Sequence, residues 1–229
     1  MKSGDEEVEG YTVEYEENSK DVGSYKVTVT FGLEEYSISG TAEYIIEPAE
    51  ITDVTVNRTS FTYNGGVQKP SVVSVKAGGL KLDPSDYEAK YSDSSSSAVG
   101  DYALTVEGKG NFSGSKTVPY SIKKAANPLA VSGRTATVKF KKLRRRSQTV
   151  RAPKLMNISG AQGDVTYSLV SVKKAKCAKY FRVDEKTGSV TVKKNLRRGI
   201  YTLTVNVNAA GNSNYNADSK DVVCRITVK

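Results

Sequence analysis

Lysine and arginine crowd two short stretches of this 229-residue chain. Lys139, Lys141, Lys142, Arg144, Arg145 and Arg146 make the first, and Lys193, Lys194, Arg197 and Arg198 the second. Fixed cations at this density capture polyanions: they release condensed counterions and concentrate the anion at the surface. The chemistry open to them is therefore binding, of a teichoic acid, an acidic glycan or a nucleic acid. A second reading stands beside it, in which the same charges solvate a strand face and a loop. Between them Phe140 and Leu143 take core positions, and no exposed aromatics interleave for base stacking, which speaks against nucleic acid.

Other chemistry has little to work with. The chain has no His and two Cys, so a zinc site or a Cys/His nucleophile is excluded on inventory. Cys177 and Cys224 allow one disulfide in an oxidising compartment. Alternatively Cys224, in step with Val222 and Ile226, is a small core residue. The acid pairs Asp83/Asp86 and Glu16/Glu17 fall in turns or at strand ends, without the concave site a glycosidase needs. Phosphate-loop and dinucleotide motifs are not found. The expectation is a non-enzyme with no cofactor, no catalytic residue and no metal ligand. No apolar run approaches the ~20 residues of a membrane span, so no membrane insertion is expected of this segment.

The elements that would carry the cations repeat. Gly100-Asp101-Tyr102-Ala103-Leu104-Thr105-Val106 is echoed by Gly23-Ser24-Tyr25-Lys26-Val27-Thr28-Val29 and by Gly199-Ile200-Tyr201-Thr202-Leu203-Thr204-Val205. Tyr, an aliphatic and Val at every second position predict a half-buried β-strand. Tyr11, Tyr15, Tyr36, Tyr44 and Ile46 recur 76 residues later as Tyr87, Tyr91, Phe112, Tyr120 and Ile122. Gly211-Asn212 answers Gly110-Asn111 more loosely in a third copy. A fixed period of this length predicts tandem small domains. Tyr, Val, Thr and Ile favour strands, and no convincing helical periodicity appears.

Three domains follow: 1–48, 49–124 and 125–229. From about Ile51 to Asp86 the second has 36 residues before Tyr87, whereas Tyr11 is preceded by 10, so the first reads as a truncated unit lacking about two strands. Such a half-sandwich leaves an apolar face and an edge, and is expected to be poorly ordered or to self-associate. The second unit holds seven or so short strands, the count of an immunoglobulin-like sandwich. Its serine-rich loop, Ser92–Ala98, reads as polar and mobile. In the third, Thr135–Phe140 reads as a strand with Ala136, Val138 and Phe140 on one face. Lys123–Pro128 is a short, stiff linker. The fold class is all-β, with tandem immunoglobulin-like β-sandwiches in an extended arrangement.

Charge is graded along the chain. Residues 1–48 hold 3 basic and 12 acidic side chains, net −9; residues 49–124 hold 9 and 8, net +1; residues 125–229 hold 22 and 5, net +17. A polyanion partner, if there is one, belongs to the third domain.

Asp21-Val22-Gly23-Ser24-Tyr25 has the spacing of a tyrosine corner, in which the phenol bonds to backbone a few residues upstream. Tyr63-Asn64-Gly65, Asp86-Tyr87, Val99-Gly100-Asp101-Tyr102 and Gly108-Lys109-Gly110-Asn111-Phe112 together resemble the repeated Ig-like modules of bacterial cell-surface proteins. Asp21–Tyr25 with Tyr36–Ile46 is similar to related glycine-containing surface repeats. Thr166-Tyr167-Ser168-Leu169, Phe181-Arg182-Val183-Asp184, Thr187-Gly188 and Gly199-Ile200-Tyr201 resemble a cadherin-type or bacterial Ig-like domain. The acidic clusters by which cadherins bind calcium have no counterpart in this sequence. The resemblance implies an extracellular, envelope-attached stalk or adhesive segment. Its partners would be a cell-wall polymer, a glycan or a host surface protein.

Overall fold

The computed structural model describes residues 2–3, 6–7, 9–33 and 36–229. The chain is almost entirely β, in several small sheets. It divides into two compact units: residues 1–60, 68–96 and 101–121, and residues 61–67, 97–100 and 122–229.

In the first unit, Tyr11–Tyr15, Gly23–Leu33 and Tyr36–Ile46 form a three-stranded antiparallel sheet with the long strand in the centre. Its register sets Val13 opposite Val29 and Tyr15 opposite Val27, with Tyr25 opposite Tyr44 and Phe31 opposite Ile38 on the other side. Alternation puts these apolar residues on one face, and Glu14, Lys26, Thr28, Thr41 and Glu43 on the other. Three tyrosines mark the apolar face: Tyr44 lies 6.1 Å from Tyr15 and 5.8 Å from Tyr25, ring centre to ring centre.

The same trio returns at the repeat distance. Tyr120 lies 6.5 Å from Tyr91 and 5.4 Å from Tyr102. Here the strands are Tyr87–Tyr91, Gly100–Gly108 and Ser115–Lys123, side by side in one sheet. A second sheet supplies the other layer, ordered Phe112–Ser113, Ala49–Val56, Val72–Ala77, Leu80–Lys81. Ile51, Val75 and Ala77 from this layer are buried, as are Leu104, Val106 and Tyr120 from the first. Burial of this kind contributes about 1.5–3 kcal/mol for each large side chain.

The serine loop departs from its expected mobility. Ser96 is fully buried, and its hydroxyl donates to the carbonyl of Gln68 (2.9 Å) while sharing a hydrogen bond with the Tyr120 hydroxyl (3.0 Å). A serine can sit there because both of its polar needs are met inside the fold.

In the second unit the main sheet runs Thr135–Val138, Asp218–Val228, Gly199–Ala209, Val165–Val172. Tyr201, Leu203, Val205, Val207 and Ala209 alternate inward, and so do Val222, Cys224, Ile226 and Val228. The opposing sheet is Gln148–Val150, Val190–Val192, Phe181–Val183, and Leu129, Leu143, Leu155 and Leu196 close the core. Two short strands, Ala130–Gly133 and Met156–Ser159, pair beside it.

Thr135–Phe140 is not one strand. The ladder ends at Val138, and Phe140–Leu143 makes a single helical turn. The Phe140 N–H still reaches the Lys229 carbonyl (2.7 Å), and the Lys139 carbonyl then accepts from the Lys142 and Leu143 N–H groups (3.0 and 3.1 Å), which starts the turn. The Gln148 side chain braces the outer edge: its amide donates to the Lys139 carbonyl (2.9 Å) and its oxygen accepts from the Lys139 N–H (3.3 Å).

Candidate functional site

The predicted corner is built around Tyr25 and around Tyr201. The Tyr25 hydroxyl donates to the Asp21 carbonyl, and the Tyr201 hydroxyl to that of Arg197, both at 2.9 Å across four residues. Each ring folds back over the glycine two positions before it. A Cβ on Gly23 would stand 3.2 Å from the Tyr25 oxygen, tighter than a side chain sits with ease. Tyr201 is buried against Phe181, whose ring lies 5.6 Å away, and burial holds its hydroxyl above the usual phenol range. This tyrosine anchors the segment Leu196–Gly199, and with it one of the two basic runs.

The two runs, fifty residues apart in sequence, meet at one end of the second unit. The helical turn carries Lys141, Lys142, Arg144, Arg145 and Arg146 outward while Leu143 plugs into the core. The Arg144 N–H reaches the Phe140 carbonyl (3.0 Å), and those of Arg145 and Arg146 reach Lys142 (both 3.0 Å), so the turn continues through the arginines. Asn195, in a left-handed conformation at φ 67°, donates its N–H to the Leu143 carbonyl at 3.1 Å. The Arg198 guanidinium lies 5.0 Å above the Phe140 ring. Leu196, buried, fixes the loop bearing Lys193, Lys194 and Arg197.

All ten cations of the two runs are exposed, Lys139 included. Among the described residues the ion pairs belong to Lys90, Lys109 and Lys220, and none to these ten. Helical spacing makes this costly. Lys141/Arg145 and Lys142/Arg146 are like-charged i,i+4 neighbours, each repelling by a few tenths of a kcal/mol, and together they line a shallow hollow. A multivalent anion seated there would relieve both repulsions.

The unit's acids stand at its other end. The Ala210 N–H bonds to the Asp164 carbonyl, Ala209 faces Asp218, Asn206 faces Asp221, and the Tyr167 N–H bonds to the Glu185 carbonyl next to Asp184. Strand Gly199–Ala209 links the two ends, and its 11 residues span roughly 35 Å. That is several Debye lengths at physiological salt. The basic end is therefore not neutralised from within its own unit.

Lys174, Lys176 and Lys179 extend the patch and were not singled out by sequence. They lie on the 3-10 helix Ala175–Tyr180 or at its start, and the Lys174 ammonium sits 5.3 Å over the Tyr201 ring. Their three- and two-residue spacing was the available signal. Cys177 lies on the same helix and Cys224 in the core opposite Leu203; both are free thiols. Burial pushes the Cys224 thiol up, keeping it protonated and inert.

No protein-family model matches the chain, and no curated protein matches it. Solved structures do. One is a protocadherin gammaB7 EC3-6 cis-dimer, at 13% identity and a TM-score of 0.39, covering 97% of this chain and 67% of that one. Another is the set of extracellular cadherin domains 3-6 of protocadherin gamma B2, at 11% and 0.40, covering 97% of this chain and 66% of that one. A third is Drosophila N-cadherin EC1-3, at 13% and 0.34, covering 98% and 90%. The chain thus spans about two thirds of the first two. At these values the likeness is one of general strand layout.

Proposed function

We propose that this chain is a non-catalytic, load-bearing and adhesive segment of a bacterial surface protein. It would stand outside the cell as tandem Ig-like sandwiches, 49–124 and 125–229, preceded by the partial unit 1–48. One observation carries the reading: in 125–229 the incoming strand pairs in parallel with the outgoing one. In 49–124 Ala49 and Glu50 also pair in parallel with Phe112 and Ser113, one strand before the outgoing Ser115–Lys123. Thr135–Val138 pairs with Arg225–Val228, and the flanks are tied by Arg225 N–H to Arg134 (3.0 Å), Lys229 N–H to Val138 (3.2 Å) and Phe140 N–H to Lys229 (2.7 Å). Tension between the ends of such a domain pulls two parallel strands in opposite directions along their axes. All the cross-strand bonds are then loaded together and must fail together. An antiparallel pair held at one end opens one bond at a time.

Pulling the chain by its ends tests it. Two resisting events are expected, releasing about 75 and about 100 residues at roughly 3.5 Å each. Smooth extension without them would refute the reading.

A second reading concerns the basic end of 125–229, supported by its unpaired cations. It would bind a cell-wall polyanion or acidic glycan by counterion release. Retention on immobilised heparin is expected to fall steeply with salt, and to drop several-fold when Arg144, Arg145 and Arg146 are changed to Gln. Retention indifferent to salt would reject it.

A further inference from the structure

Two copies of one sheet differ in what lies over them. Leu104 and Val106 are fully buried and Tyr120 is 3% exposed. Their counterparts Val27, Val29 and Tyr44 are all partly exposed. Tyr91 donates its hydroxyl to the carbonyl of Pro70 in the covering layer (2.7 Å), whereas its counterpart Tyr15 is 67% exposed. Among the described residues from 9 to 48, no side chain is buried at all. The sheet keeps the tyrosine trio and the Val-Val stripe of a sandwich interior and, among the described residues, carries no second layer.

We propose that this face is covered by the same face of a second copy of the chain, so that two three-stranded sheets close into one sandwich across a two-fold axis. Three observations choose this occupant. The face bears no charged side chain, so neither an acidic nor a basic partner gains a contact there; Glu14, Lys26 and Glu43 lie on the opposite face. An uncharged surface of Tyr, Val, Ile and Phe side chains can meet its own copy, as a two-fold interface requires, and twisted sheets pack face to face about 10 Å apart. Its extent also points to an interface. Tyr15 and Ile38 are 67% and 69% exposed and Tyr11 and Val13 39% and 40%, a contiguous apolar patch on the order of the few hundred Å² that marks an interaction surface. The pairing is independent of the load-bearing reading.

The charge of the unit sets how the pairing responds to salt. Residues 1–48 carry net −9, so two copies repel at long range while their apolar faces attract. Screening removes the repulsion, and dimerisation strengthens as salt rises.

Sedimentation velocity on the 229-residue chain, from about 1 to 100 µM, reads this directly. A monomer–dimer equilibrium is expected, tightening several-fold between about 0.05 and 0.5 M NaCl. Tyr15→Glu and Ile38→Glu, both at exposed positions that tolerate the change in the monomer, are expected to weaken it at least tenfold. Thr41→Glu, on the polar face, leaves it unchanged. A monomer at every concentration overturns the proposal. So does an association that salt weakens, or one lost with Arg144→Gln, which would join acidic and basic regions instead. So does a dimer indifferent to Tyr15→Glu and Ile38→Glu.

Discussion

A single hydroxyl distinguishes the tyrosines of the three strand copies from phenylalanine, and the structure gives it work. Tyr201 bonds to Arg197 while buried, and Tyr25 makes the same bond to Asp21 in a more open setting. Tyr201→Phe should cost about 1 kcal/mol in urea unfolding, the worth of a typical internal hydrogen bond, and Tyr25→Phe less. Equal, negligible losses would show that the corner is geometry without energy. Asp184 holds the turn to Gly188 through two hydrogen bonds, from the Thr187 hydroxyl (2.7 Å) and the Thr187 N–H (2.8 Å). With the hydroxyl bond foremost, they keep its carboxyl below the usual carboxylate range. A depressed pKa stabilises the fold only while the group is ionised. That contribution is complete above the unfolded-chain pKa and disappears as pH falls through the folded one. Asp184→Ala should therefore lower Tm near pH 7 but match wild type at about pH 2; a gap that persists in acid would assign the loss to something other than the charge. The corner was legible from the Gly-x-Tyr spacing. The buried Ser96 was not, because its burial depends on Gln68 and Tyr120, 28 and 24 residues away.

At the scale of the element, alternation located most strands to within a residue or two. It failed where a period of two runs on past the end of a strand. Thr135–Phe140 continues the alternation, yet the Lys139 carbonyl accepts from the Lys142 and Leu143 N–H groups and the chain turns into a helix, braced by Gln148. That turn is what swings Lys141–Arg146 out as a cluster rather than along a strand face. The switch into this strand is equally unreadable in advance. At Gly133 the chain leaves its pairing with Met156–Ser159 and joins Asp218–Val228, and a Cβ there would lie 1.8 Å from the Val223 carbonyl oxygen. The glycine is required by a backbone contact ninety residues distant. Gly133→Ala should destabilise the unit by about 1–3 kcal/mol, as overpacking does. A variant as stable as wild type would mean that the parallel pairing tolerates displacement and cannot be a rigid clamp.

For the molecule as a whole, repetition was the most legible feature. The 76-residue period foretold two matching tyrosine trios, and the charge gradient foretold a polarised, basic unit at one end. Comparing the short run before Tyr11 with the longer one before Tyr87 also pointed to a first sheet whose apolar face is left open. Parallel pairing of incoming and outgoing strands was out of reach, since it joins Thr135 to Arg225 across ninety residues. It carries the central claim, that this chain bears tension, and direction of loading tests it. Force applied through Leu129 and Lys229 drags the two strands along each other. Force applied through Lys139 and Lys229, at neighbouring strand ends, peels them apart. The unfolding force, measured one molecule at a time, should be markedly higher in the first geometry than in the second. An equal or lower force through Leu129 and Lys229 would contradict the account.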